Sequence, residues 1–251
     1  MSLTTVPMWR QKAIARLGRT FSPRQVREFV RLADIVSLFP NSESVFRRIS
    51  KAKEDEAVFD YLAEIRFGLT FASLEFELKF EPCGEKGPDL LVSRDGQSAY
   101  VEVRRIRTSQ VEPTLPFLDL MDESSKATLA EYGDFERSVK KIEDELSDKS
   151  RQVGESTSII ACWSDRFSVE EVDFELAIRH LLIDSQTGAK RIPPGLLFCI
   201  FGWDWLLGGG QKLHCGVLKQ LAEPFARWVS DLKGARFSLE NFATSGTLST
   251  S

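Results

Sequence analysis

The sequence predicts an α/β fold: one mixed sheet, an antiparallel three-strand meander plus parallel strands, flanked by helices. Three observations carry this expectation. Apolar residues recur at helical spacing through residues 52–70 (AKEDEAVFDYLAEIRFGLT). The period then drops to two over 74–81, where Leu, Phe, Leu and Phe alternate with charged residues as in a half-buried strand. Farther on, SIIACW (158–163) and LLFCIFGW (196–203) are unbroken apolar runs, the pattern of strands covered on both faces.

Taken in order, the elements begin with a helix at Ser22-Pro23, a capping hydroxyl followed by proline at the first helical position. Val26, Phe29, Val30 and Ala33 make its apolar stripe, and Arg24, Arg27 and Arg31 share another face. Pro40-Asn41-Ser42 breaks the chain before the helix of 52–70, whose start is favoured by Glu54, Asp55 and Glu56. Glu64 lies at the border of that helix's stripe, and Gly68, one turn later, leaves room beside it. After the strand at 74–81 come a loop (82–87), a short strand at 88–92, a tight turn centred on Asp95-Gly96 and a third strand at 98–106. On that third strand Tyr100, Glu102, Arg104 and Ile106 share one face; Ala99, Val101, Val103 and Arg105 take the other.

A long helix follows over 134–153, with Phe135, Val139, Ile142, Leu146 and Val153 on one stripe and Lys149 in the stripe's remaining place. A lysine there needs a partner for its ammonium. The two apolar strands are each followed by a helix, at about 168–184 and 216–233. The domain organisation expected is a basic helical extension (1–50), an α/β core (51–243) and a disordered tail (244–251).

Composition narrows the function classes. The chain has 251 residues, 42% of them hydrophobic and 28% charged, which excludes a disordered protein. Its net charge of −4 argues against binding nucleic acid through overall positive charge, yet residues 1–31 hold seven basic side chains and one acidic. The four cysteines form no CxxC pair, so neither a zinc site nor a disulfide framework is expected. No signal-like segment and no stretch near the ~18–20 apolar residues of a membrane span is present, so the chain reads as cytoplasmic and without a membrane partner. Phosphate loops, GxSxG and HExxH are absent from the sequence, the GGGQK of 208–212 reads as a loop, and two histidines make a histidine-based triad improbable.

The informative constellation is acidic. Asp89 opens the second strand and Glu102 lies mid-way along the third, so two carboxylates can converge across the hairpin. Such a pair repels itself unless a divalent cation sits between, and Mg²⁺ is suited by one or two carboxylates with water and phosphate oxygens.

On these residues the chain resembles the PD-(D/E)XK nuclease superfamily, the restriction-endonuclease-like fold. The matching positions are Glu64 on the preceding helix, Pro88-Asp89, Glu102-Val103-Arg104, and Lys149 with Gln152 in the DKSRQ stretch of the long helix. The resemblance spans roughly residues 52–205. It implies a Mg²⁺- or Mn²⁺-dependent endonuclease that hydrolyses nucleic acid, DNA foremost, with Asp89, Glu102 and Glu64 as metal ligands and Gln152 orienting water or phosphate. It also implies that a homodimer is an option, since many enzymes of this fold cut duplex DNA as dimers. Arg104 stands where the family has lysine, and arginine stabilises phosphoryl charge but is no base at neutral pH. Either Lys149 supplies the ammonium, or the chain is a catalytically silent module that binds nucleic acid or a protein partner. Arg24, Arg27 and Arg31 would guide the phosphate backbone. Without the resemblance, the same pattern fits an α/β interaction domain in which Asp89 starts a strand and Glu102 pairs with an arginine.

Overall fold

A computed structural model gives the architecture; it describes residues 5–84, 87–106, 135–153, 155–164, 169, 171–203 and 212–236, with backbone alone for 5–7, 135–137, 149–153 and 203. Among these, four helices lead the chain: α1 (Thr5–Leu17), α2 (Pro23–Val36), α3 (Ser42–Lys51) and α4 (Asp55–Ser73). There follow β1 (Glu77–Phe80), β2 (Leu90–Arg94), β3 (Gln97–Arg105), α5 (Phe135–Val153), β4 (Ser158–Ser164), α6 (Glu171–Gln186), β5 (Leu196–Trp203), β6 (His214–Val217) and α7 (Phe225–Leu232). The six strands form one sheet in the order β1-β2-β3-β4-β5-β6. The β1-β2-β3 meander is antiparallel, β3, β4 and β5 run parallel, and β6 returns antiparallel to β5. The mixed sheet flanked by helices is therefore as expected.

Local chemistry explains the boundaries. Ser22 caps α2 through a reciprocal box: its side chain accepts from the Gln25 amide, and the Gln25 side chain accepts from the Ser22 amide. Asp95 and Gly96 both take positive φ (54° and 71°), the conformation of a two-residue hairpin turn whose twist matches its strands. Two elements differ from the sequence reading. The alternation at 74–76 is the exit turn of α4, with Glu75 at φ 64° and the Phe76 amide donating to the Phe71 carbonyl (3.2 Å), so β1 begins only at Glu77. The helix expected over 216–233 starts at Phe225, because His214–Val217 pair with β5 instead. The apolar residues of 215–221 suit either period, and sheet pairing decides.

Two apolar layers cover the sheet. On one face Val101, Val103, Ile159, Ala161, Trp163, Phe198 and Ile200 join Leu17, Phe29, Phe46, Leu62, Phe67 and Trp228 in one cluster, so α1–α3 share a core with α4 and α7. On the other, Val139, Ile142 and Leu146 of α5 and Phe174 and Ala177 of α6 pack on Ile160, Cys162, Cys199 and Phe201. The N-terminal helices are thus part of the core layer.

Helix α4 is the pivot. Packed against α3 on one side and the sheet on the other, it is buried continuously from Leu62 to Phe71. The room at Gly68 is filled by β1: a Cβ there would come within 3.0 Å of the Phe80 ring. Arg66, buried on the same helix, stacks 4.6 Å from the Trp163 ring centre. All four cysteines are free thiols, with Cys162 and Cys199 inside the core as expected of small hydrophobes. No helix among the described residues is long and apolar enough to cross a membrane. The tail of 244–251 and residues 208–211 of the GGGQK stretch lie outside the described residues.

Candidate active site

A polar cleft of about 500 Å³ opens where β2 begins and β3 ends. Helices α3 and α4 line it with Arg48, Tyr61 and Glu64, the strand ends with Asp89 and Arg104, and α5 with Lys141 and Glu145. Each part is placed by a different local cause.

Asp89 is positioned by the end of a ladder. Continuing the β2–β3 register past Leu90↔Val101 would set Pro88 opposite Val103, but β2 pairing has already stopped. The Asp89 side chain supplies the acceptor instead: its Oδ2 takes the Val103 amide proton at 2.8 Å. The Asp89 carbonyl accepts from the Glu81 amide (2.7 Å), which ties Glu81 to the same spot. Asn41, in the loop before α3, donates to the Glu81 carbonyl at 3.4 Å.

Glu64 is 5% exposed because α4 is enclosed on both sides. Burial, and after it the Asp89 charge, push its carboxyl well above the ordinary range, although Arg48 pulls the other way. Arg48, on α3, forks onto Glu64: its Nη1 is 3.2 Å from Oε1, and its Nη2 pairs with Oε2. Its Nε faces Glu81 Oε1 at 2.5 Å, and the guanidinium lies 4.5 Å from the Tyr61 ring centre. Burial, the largest influence on Arg48, works to lower its pKa, but Glu64, Glu81 and Asp89 together outweigh it and raise it.

The facing wall is wetter. Arg104 has a side chain 43% exposed, and its Nε lies 3.4 Å from Glu145 Oε2. Lys141 reaches the other oxygen of Glu145 at 3.1 Å, an i,i+4 pair on α5. At the edge, Arg105 is enclosed by Phe59 and ion-paired to Glu56 and Asp60, so the second arginine of the strand serves structure.

Of the residues singled out in the sequence, Glu64, Asp89 and Arg104 meet in this cleft. Glu102 is buried on β3; one step past the paired residues it stands across from Asp89 on the same face, but it does not line the cleft. Lys149 and Gln152 belong to α5, and their side chains lie outside the described residues. Arg24, Arg27 and Arg31 are exposed on α2, with Arg31 3.4 Å from Glu28. Arg10 and Arg16, also counted in the basic N-terminal excess, are tied to Asp34 and Asp55. Arg48, Glu81, Lys141 and Glu145 escaped the sequence reading. For Lys141 and Glu145 the i,i+4 pairing was a visible signal; for Arg48 and Glu81 there was none.

The donors of the cleft are hard oxygens. Glu64 and Asp89 are near enough for one charge to act on the other, and the cleft brings neither thiolate nor imidazole to them. Among the described residues no three His, Cys, Asp or Glu side chains come together as a metal cage. Two carboxylates with room for water and phosphate suit a small divalent cation such as Mg²⁺ or Mn²⁺. Comparison with family models, curated proteins and solved structures gives no match to this chain.

Proposed function

We propose that this chain is a metal-dependent nuclease of the PD-(D/E)XK kind that hydrolyses phosphodiester bonds, with DNA as the first substrate to test. The observation that carries the reading is the cleft itself: Glu64 and Asp89 on one wall, Arg104 and Lys141 on the other. Glu64 and Asp89 would hold Mg²⁺ or Mn²⁺; Glu102, the motif's other carboxylate, stands across from Asp89 but does not line the cleft. Bound there, the ion would lower the pKa of a water and polarise the phosphoryl oxygens. The residues of the chain do the rest. Arg104 and Lys141 turn from Glu145 to the phosphate and neutralise its growing charge. Arg104 stays protonated and only stabilises, so a lysine remains the better proton carrier. The exposed Arg24, Arg27 and Arg31 would take up the backbone flanking the scissile bond.

Two observations favour the second reading, a silent nuclease-like module. Arg48 already neutralises part of the carboxylate wall, and Arg104 fills the place of the motif lysine. Incubation of the purified protein with plasmid and single-stranded DNA in Mg²⁺ or Mn²⁺ separates the two. The nuclease reading expects cleavage that is lost in Asp89→Asn and in Glu64→Gln. An absence of cleavage in both metals, with wild type and Glu102→Ala binding DNA equally, overturns it for the silent module.

A further inference from the structure

The acidic wall of the cleft carries its own cation. Arg48 contacts both oxygens of Glu64 through one fork, touches Glu81 with Nε, and lies against the Tyr61 ring. Its side chain is 16% exposed, and a guanidinium in a protein does not lose its proton. It is therefore a permanent charge in the cluster. One guanidinium serves two carboxylates, Glu64 and Glu81, and is acted on by the charge of a third, Asp89.

The contacts on Arg48 are also unequal in kind. Glu64 lines the cleft, whereas Glu81 does not, and its backbone is held by the Asp89 carbonyl and the Asn41 side chain. An arginine released from Glu64 would still keep Glu81 and the Tyr61 face. We propose that Arg48 is a built-in counter-cation which a divalent metal must displace from Glu64, so that Arg48 sets the metal concentration at which the site fills. Arg48 is a positioning residue in this scheme. The inference rests on the reading of Glu64 and Asp89 as metal ligands.

The test uses Mn²⁺ alone, without nucleic acid, on the full chain. Arg48→Met removes the charge and keeps the aliphatic length; Arg48→Lys keeps the charge. Calorimetric titration should show Arg48→Met binding Mn²⁺ at least about tenfold more tightly than wild type, because a repelling charge is gone from the metal's side. Arg48→Lys should stay within about threefold of wild type, a rescue that a purely structural fork–fork pair would not give. Mn²⁺ should also raise the melting temperature more in Arg48→Met than in wild type. If Arg48→Met does not fold, Arg48→Gln repeats the titration with a hydrogen-bond donor left for Glu64. If both variants are unfolded, Mn²⁺-induced recovery of the helical circular dichroism signal supports the proposal and its absence overturns it. Equal or weaker Mn²⁺ binding by Arg48→Met, with wild-type binding abolished by Asp89→Ala, overturns the counter-cation role and leaves the metal site standing. Loss of Mn²⁺ binding in every variant and in wild type overturns both.

Discussion

The two walls of the cleft hold their charges by opposite means. On the α3–α4 wall, Glu64 is buried and held by both arms of the Arg48 fork, and Arg48, 16% exposed, also pairs with buried Glu81 behind it. On the α5 wall, Arg104 and Lys141 share a single partner, Glu145, at the border of solvent. A buried ion pair is costly to break because the remaining charge has no water to turn to, while an exposed pair contributes at most about 1 kcal/mol and is screened by salt. The first wall is thus suited to holding a geometry and the second to exchanging partners. A phosphate entering between them would find the first fixed and the second ready to turn.

Four predictions press on that contrast, beginning with the largest effect. Glu64→Ala strands part of the Arg48 charge and should lower unfolding free energy by about 3 kcal/mol, the low end for a broken buried pair because Glu81 remains. Urea denaturation measures it; a loss no greater than that of Glu145→Ala would erase the distinction between the walls.

The second concerns pH. Glu64 has a folded pKa above its unfolded one, so the native chain keeps a proton that the unfolded chain has released. Its stabilising contribution is complete below the ordinary glutamate value of 4.5 and is lost as pH rises through the folded pKa. Denaturation series from pH 4 upward should therefore show wild type losing stability relative to Glu64→Gln, which cannot titrate. Parallel curves would show that the Glu64 proton is not linked to folding.

On the exposed wall the effects move from stability to ligand. Lys141→Ala and Arg104→Ala should each weaken DNA binding evenly across sequences and lower the salt slope by about one. Fluorescence anisotropy at several salt concentrations reads this, and an unchanged slope in both would remove the wall from the DNA path. Smallest of all, Glu145→Ala should cost under about 1 kcal/mol of stability, since it breaks only exposed pairs. It should also tighten DNA binding by releasing both cations; weaker binding would mean that Glu145 holds them in their working positions.

Much of the frame could be read from the residues in order. The Ser22-Pro23 start of α2, the Asp95-Gly96 turn and the covered strands β4 and β5 are local signals, and each appears where the pattern puts it. Failures occur where two patterns overlap: Leu74 to Phe76 alternate like a strand and close a helix, and Cys215 to Leu221 suit a helix while Cys215 pairs in a sheet. The site was legible in part. Asp89 and Arg104 stand out through a short motif, and Glu64 through its place on a helix.

By itself, then, the sequence determined the start of α2, the turn between β2 and β3 and the covered strands β4 and β5, because capping, turn chemistry and hydrophobic period act within a few residues. It also determined that carboxylates and cations would gather near the β2–β3 hairpin. Only the tertiary structure decided which of them meet. Glu64 became a buried group because α3 and the sheet close over α4, and Arg48 became its partner because that closure brings α3 beside the start of β2. Burial and long-range pairing depend on how elements pack, and a period along the chain carries no record of what will cover it.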